Sequence, residues 1–165
     1  MLLRQSVLRQ KGASYVPGFR VVGMPPPSTA FLSHSSLDRQ LAYGLQQEFA
    51  AQGWYVYIDW QDPQMPEQAS KRTADIIRIR IEQTDWLIYL ATGNTQRSRW
   101  CPWEIGYADG VKPKEKIVIV PTIDAAGHTH GAEYLDLYPH IEMEPLGRYV
   151  LQGPGAARSQ PINQL

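Results

Sequence analysis

Residues 98–106, Ser-Arg-Trp-Cys-Pro-Trp-Glu-Ile-Gly, gather the chain's single cysteine and one carboxylate among two tryptophans. Tryptophan is costly to expose, and glutamate is rarely buried without a partner or a task. Glu104 is therefore either an ordinary surface carboxylate beside a packed helix start, or a carboxylate in an aromatic cleft. Trp100 and Glu104 stand four residues apart, a spacing that places them on one face of a helix. An indole beside a carboxylate offers a flat apolar wall and an anion. That pair suits a ligand in which an aromatic cation is attached to a sugar. Stacking on a base contributes roughly 1–3 kcal/mol, and a carboxylate can stabilise an oxocarbenium-like centre or bind a ribose diol. Cleavage of a nicotinamide–ribose bond needs one carboxylate only, because nicotinamide leaves as a neutral molecule without a general acid.

The other reactive side chains suggest less. Cys101 would need a neighbouring base to become a nucleophile. It aligns with Ile105 and Ala108, a stripe that reads as core. His128 and His130 lie in a Gly-rich stretch with His140 further on, and Cys101 has no cysteine neighbour to complete zinc-type spacing, so no metal site is expected. No phosphate-cradling glycine loop follows any predicted strand. A phospho-receiver would need clustered aspartates where Ser33-His34 and Thr92-Gly93 stand.

These residues need elements to hold them. Residues 29–34 read as a buried strand. Ser35 followed by Asp38 fits a capping-box variant opening a helix, with Leu37, Leu41, Leu45 and Phe49 down one face and Gly53 closing it. Residues 54–58 read as a second strand ending at Asp59, and residues 60–69, with Pro63 and Pro66, as a loop. The alternation Ile77-Arg78-Ile79-Arg80-Ile81 is strand-like, yet Thr73, Ile77 and Ile81 share a helical stripe, and a helix over 70–83 is expected. Residues 86–91 form an unbroken apolar run, as in a strand buried on both faces. A helix over 98–110, a strand over 116–120 ended by Pro121 and a short strand near 148–151 complete the pattern. Strand and helix alternate, which predicts an α/β fold of three layers: a flavodoxin-like parallel sheet of about five strands between helices. Ligands bind such sheets outside the carboxyl ends of the strands. Ser33-His34, Asp59-Trp60 and the helix carrying Glu104 all gather at that edge.

The bulk composition bounds the partners. The 165 residues are 43% hydrophobic and 19% charged, as in an ordinary globular protein. Sixteen basic residues balance sixteen acidic ones, which argues against nucleic acid or an anionic membrane as a partner. No apolar run approaches the roughly 20 residues of a membrane span. One cysteine suits a reducing compartment, the cytoplasm. Residues 1–28 read as an N-terminal arm, solvated or docked on the surface, ending in the stiff Pro25-Pro26-Pro27 spacer. An organellar targeting role for its Arg and Lys residues stays open. Residues 29–151 read as the domain and 152–165 as a Gly/Pro-rich tail.

The boxes that bound the elements resemble a known family. Phe31-Leu32-Ser33-His34-Ser35-Ser36-Leu37-Asp38 resembles the opening box of Toll/interleukin-1 receptor (TIR) domains. Tyr57-Ile58-Asp59 resembles the strand end that enters their BB loop. Ser98-Arg99-Trp100-Cys101-Pro102-Trp103-Glu104 resembles the Ser-x-Trp-Cys-x-x-Glu signature of the NAD-cleaving members. The likeness covers about residues 29–121. It implies that Glu104 is catalytic and that Ser33, His34, Asp59, Trp60, Trp100 and Cys101 shape the substrate pocket. It further implies NAD+ as substrate with no cofactor, self-association through the 60–69 loop, and a separate effector protein sensing an ADP-ribose-derived product. Small stand-alone proteins of this kind resemble bacterial antiphage enzymes of the Thoeris type. Two other readings are open: a TIR adaptor that assembles without chemistry, and a nucleoside deoxyribosyltransferase-like enzyme. The loop opened by Trp60 and Asp62 lacks the family's usual glycines, and residues beyond 121 carry few helix signals.

Overall fold

The computed structural model describes residues 1–14, 28–145, 147–155 and 159–165; the Pro25–Pro27 spacer lies outside them. The chain begins with a short strand β1 (Leu3–Arg4) and helix α1 (Gln5–Ala13). Strand β2 (Thr29–Ser33), helix α2 (Arg39–Ala51) and strand β3 (Tyr55–Tyr57) follow, then α3 (Lys71–Gln83) and β4 (Trp86–Ala91). Next come α4 (Gly93–Arg97), α5 (Cys101–Val111), β5 (Ile117–Ile123), β6 (His140–Met143), β7 (Tyr149–Gln152) and β8 (Gln160–Pro161).

Strands β2 to β6 form a parallel sheet in the order β3-β2-β4-β5-β6. This is the flavodoxin-like order expected from the alternation of elements. β7 and β8 extend it antiparallel, and β1 pairs with the far end of β5. One face buries Leu8 of α1 and Leu41, Leu45 and Phe49 of α2 against Leu32, Ile88 and Val118. The other buries Ile77 and Ile81 of α3 and Cys101, Ile105 and Ala108 of α5 against Phe31, Leu87, Tyr89 and Ile119. Both faces of β4 are covered, which is why its six residues are all buried and all apolar in reading.

The contested segment is helical. In α3, Ile77 and Ile81 are buried while Ile79 is 48% exposed, the signature of a 3.6-residue period. The backbone N–H of Ser70 donates to Thr73 Oγ1 (3.0 Å), tying the first turn. Gly53 has φ +86°, a left-handed conformation that glycine adopts without strain, and it turns the chain from α2 into β3.

Three local expectations are corrected. The Ser35/Asp38 capping box does not form: Ser35 Oγ accepts from Leu37 N across a separate 3-10 turn, Ser36–Asp38, and α2 starts at Arg39. That extra turn shifts the helical phase, so Leu37 points outward at 79% exposure and the stripe begins at Leu41. Pro121 does not end β5, which runs to Ile123. Pro121 is the last residue registered with β4, opposite Ala91, and beyond it the strand pairs with β1 instead. The sheet also gains β6, paired with β5 through Ile119 and His140, which no apolar run announced.

Both chain ends dock. α1 crosses α2 at two glycines: a Cβ at Gly12 would lie 2.0 Å from the Gln40 carbonyl oxygen, and one at Gly44 2.0 Å from that of Leu8. The tail places Ile162 in the core, where its carbonyl accepts from Trp54 Nε1 (2.9 Å). Among the described residues no helix is long and apolar enough to cross a membrane.

Candidate active site

Because β2, β3 and β4 are parallel, their carboxyl ends share one edge of the sheet. Ser33 and His34 leave β2 there, Asp59 and Trp60 follow β3, and Thr92 follows β4. The start of α5 returns to the same edge. Ser98 Oγ caps it, accepting from the backbone N–H groups of Trp100 (3.2 Å) and Cys101 (3.3 Å). Pro102 stands in the first turn, where a missing N–H leaves nothing unsatisfied.

Glu104 lies in that first turn and points inward. It is 4% exposed, and Ser33 Oγ donates to its Oε2 at 2.6 Å across 71 residues of sequence. Neither the helix N-terminus nor the serine offsets the loss of water: burial pushes its carboxyl up to about 8, with the nearby Asp59 charge adding to the rise and the Ser33 bond opposing it. A buried carboxylate with a perturbed affinity for protons is a candidate functional group.

His34 and the Asp59 turn complete the edge. His34 Nδ1 lies 2.8 Å from the Leu32 carbonyl, which only accepts, so Nδ1 carries the proton. Its Nε2 is 3.7 Å from Asp59 Oδ1. Burial lowers the imidazole's affinity for a second proton against the pull of Asp59, and the ring stays neutral. Trp60 packs edge-on against His34 (4.1 Å between ring centroids), and its Nε1 donates to Tyr43 Oη (3.1 Å). The structure therefore brings Ser33, His34, Asp59, Trp60 and Glu104 to one edge.

The two tryptophans of the 98–106 stretch divide their work. Trp100 lines a cavity of about 390 Å³ with Ser35, Ser36, Asn94 and the Arg97–Arg99 segment. Trp103 meets Trp100 edge-on, stacks on Tyr107, and lies under the Arg78 guanidinium of α3. Cys101 is fully buried in the core beneath the site, with its thiol pushed up to about 12 by burial and by Glu104. A thiol held so high is inert as a nucleophile at neutral pH.

Sequence reasoning overlooked one buried carboxylate. Asp38 accepts from Thr92 Oγ1 (2.6 Å) and Asn94 Nδ2 (2.7 Å), joining the turn after β2 to the start of α4 and so fixing two walls of the cavity. Its spacing from Ser35 imitates a helix cap, and nothing local advertises partners 54 and 56 residues away. The histidine-rich segment clusters around Asp124. His130 Nε2 meets Asp124 Oδ2 at 3.1 Å and packs against Gly93. Among the described residues no group of three or more His, Cys, Asp or Glu side chains could hold a metal ion.

The site thus has an inward glutamate at a parallel-sheet edge, paired to the serine that ends the first core strand. The family profile of the TIR domain matches residues 30–148, and the chain belongs to that family. Within it, the chain is similar to a protein of Bacillus cereus (strain MSX-D12) named "Probable 3' cyclic ADP-D-ribose synthase ThsB'". The two are 39% identical over 115 residues, covering 67% of this chain and 58% of that protein. The chain thus spans less than two thirds of the length of that relative.

Proposed function

We propose that the protein cleaves the nicotinamide–ribose bond of NAD+, with Glu104 as the catalytic residue. The observation that carries this reading is the Ser33–Glu104 pair, a buried carboxylate at the carboxyl edge of the sheet, one helical turn after Trp100, which lines a neighbouring cavity. The carbon–nitrogen bond breaks with its electron pair going to the ring nitrogen, so nicotinamide leaves neutral and the ribose carbon becomes cationic. Ionised Glu104 stabilises that cation without solvent competition. The Ser33 hydroxyl holds one carboxylate oxygen and orients the group. The positive charge of the bound nicotinamide ring favours loss of the Glu104 proton, which readies the carboxylate when substrate arrives.

The ADP-ribosyl cation is then captured by water, giving ADP-ribose, or by a nucleophile within the same cation, giving a cyclic ADP-ribose; either capture releases one proton. The relative's name supports the cyclic product. The protein acts in the cytoplasm in bacterial antiphage defence of the Thoeris type. It self-associates through the 60–69 loop, and a separate effector protein senses its product. NAD+ is substrate, and no other cofactor takes part.

A substrate panel tests the reading. Concentrated protein incubated with NAD+, a ribonucleoside and a deoxynucleoside plus free base should release nicotinamide and leave both nucleosides intact. Base exchange on the deoxynucleoside would point to a deoxyribosyltransferase, and inertness toward all three to an adaptor.

A further inference from the structure

The cavity lined by Trp100 holds two arginines and, among the described residues, no acidic residue in its wall. Arg97 and Arg99 flank Ser98 at its wall, both exposed, and neither forms an ion pair with a carboxylate among the described residues. Arg97 Nη2 donates to Asn94 Oδ1 (3.2 Å) and leaves its other N–H groups free for a ligand. No acidic residue occurs between Asp85 and Glu104 to neutralise them locally. The carboxylate nearest the cavity wall in sequence, Asp38, is buried with its two oxygens committed to Thr92 and Asn94. Ser35 and Ser36 line the same cavity. In a chain whose charges sum to zero, two arginines without ion-pair partners among the described residues, lining one cavity with two serines, make a local site for an anion.

We infer that this cavity binds the diphosphate of a dinucleotide substrate, with Arg97 and Arg99 as its ligands and Ser36 and Asn94 as supplementary donors. Resting on the cleavage reading above, the inference assigns the residues that hold the diphosphate of that substrate and so separate it from a free nucleoside. The placement is consistent in chain terms. Trp100, one residue past Arg99, walls the same cavity and opens the helix whose first turn holds Glu104. A diphosphate seated on the arginines therefore leaves the attached ribose at the Trp100 end, toward the carboxylate. Guanidinium–phosphate pairing is bidentate and twice as strong as neutral hydrogen bonding, so the pair governs affinity while Glu104 governs turnover.

The experiment compares the full chain with its R97Q/R99Q variant. Calorimetric titration with ADP should show binding by the parent that weakens at least about tenfold in the variant, while adenosine binds both alike. With NAD+, the variant's KM should rise about tenfold with kcat within about twofold. R97K/R99K, which keeps the charges and loses the planar fork, should recover part of the affinity. ADP binding unchanged by the glutamine pair, or ADP bound no better than adenosine by the parent, would overturn the inference. The two readings fail separately. A parent that binds ADP through the arginines and releases no nicotinamide removes the cleavage reading alone. A variant that cleaves NAD+ with the parent's KM removes the diphosphate site alone.

Discussion

Glu104 is a carboxylate that the fold holds mostly protonated at neutral pH, and the proposed reaction uses it ionised. That conflict yields a rate prediction. Free-enzyme kcat/KM for nicotinamide release should climb by about tenfold per pH unit below the Glu104 pKa of about 8 and level off above it. A profile flat from pH 6 to 9 would show that ionisation of this group does not limit the reaction. The same shift acts on stability. The folded state keeps a proton that the unfolded chain loses near its ordinary value, so the contribution is intact at low pH and is lost as pH rises toward about 8. Much of this residue scale was legible beforehand: the Trp-Cys-x-x-Glu box pointed to Glu104, and the stripe with Ile105 and Ala108 placed Cys101 in the core. The Ser33 partner and the depth of burial were not legible, because a contact across 71 residues leaves no local pattern. Arg97 and Arg99 were in plain view as an acid-free pair of cations, yet only the cavity beside them gives the pair a meaning.

At the scale of elements, the helices and core strands followed from apolar period, and errors arose where a non-apolar feature decided the outcome. The 3-10 turn Ser36–Asp38 rotated Leu37 outward because Asp38 is spent on Thr92 and Asn94 instead of capping α2. β6 reads His-Ile-Glu-Met, too short and polar to register as a strand, and it exists through pairing with β5 and β7. The N-terminal segment, expected as an arm either solvated or docked on the surface, contains α1, which meets α2 by backbone approach at Gly12 and Gly44 together with a Lys11–Glu48 ion pair. Gly44→Ala tests that packing. Helix propensity alone would gain roughly 1 kcal/mol, whereas a methyl forced against the Leu8 carbonyl costs about 1–3 kcal/mol of overpacking and displaces α1. The melting temperature should fall by several degrees, at about 2–4 °C per kcal/mol for a chain of this size. A rise in melting temperature would mean that α1 is not seated on α2.

The whole molecule presents its candidate site at an open edge, and the 60–69 loop beside it is pinned at one end. Arg80 holds Asp62 (Nη2 to Oδ2, 2.8 Å), and Tyr57 Oη donates to the same carboxylate (2.8 Å). Residues 67–69 of the loop are exposed, and under the proposed self-association a second copy would add a wall to the site there. Specific activity should therefore rise with protein concentration or crowding, by about tenfold or more between dilute and concentrated solution. Constant specific activity across a wide range would show that one chain suffices. The docked termini belong to this scale as well: β1 pairs with the carboxyl end of β5, and Leu8 of α1 and Ile162 of the tail join the same buried cluster.

The most direct test of the account is nicotinamide release and thermal melting measured on one preparation of Glu104→Gln at pH 8. Glutamine preserves the volume and the acceptor that Ser33 engages, and it removes a buried group that is partly ionised at that pH. The variant should melt no lower than the parent. It should release nicotinamide at least about a hundredfold more slowly, because a neutral amide cannot oppose the charge that develops on the ribose carbon. The loss should fall on kcat with little change in KM. A folded variant that releases nicotinamide at the parent rate would contradict the account.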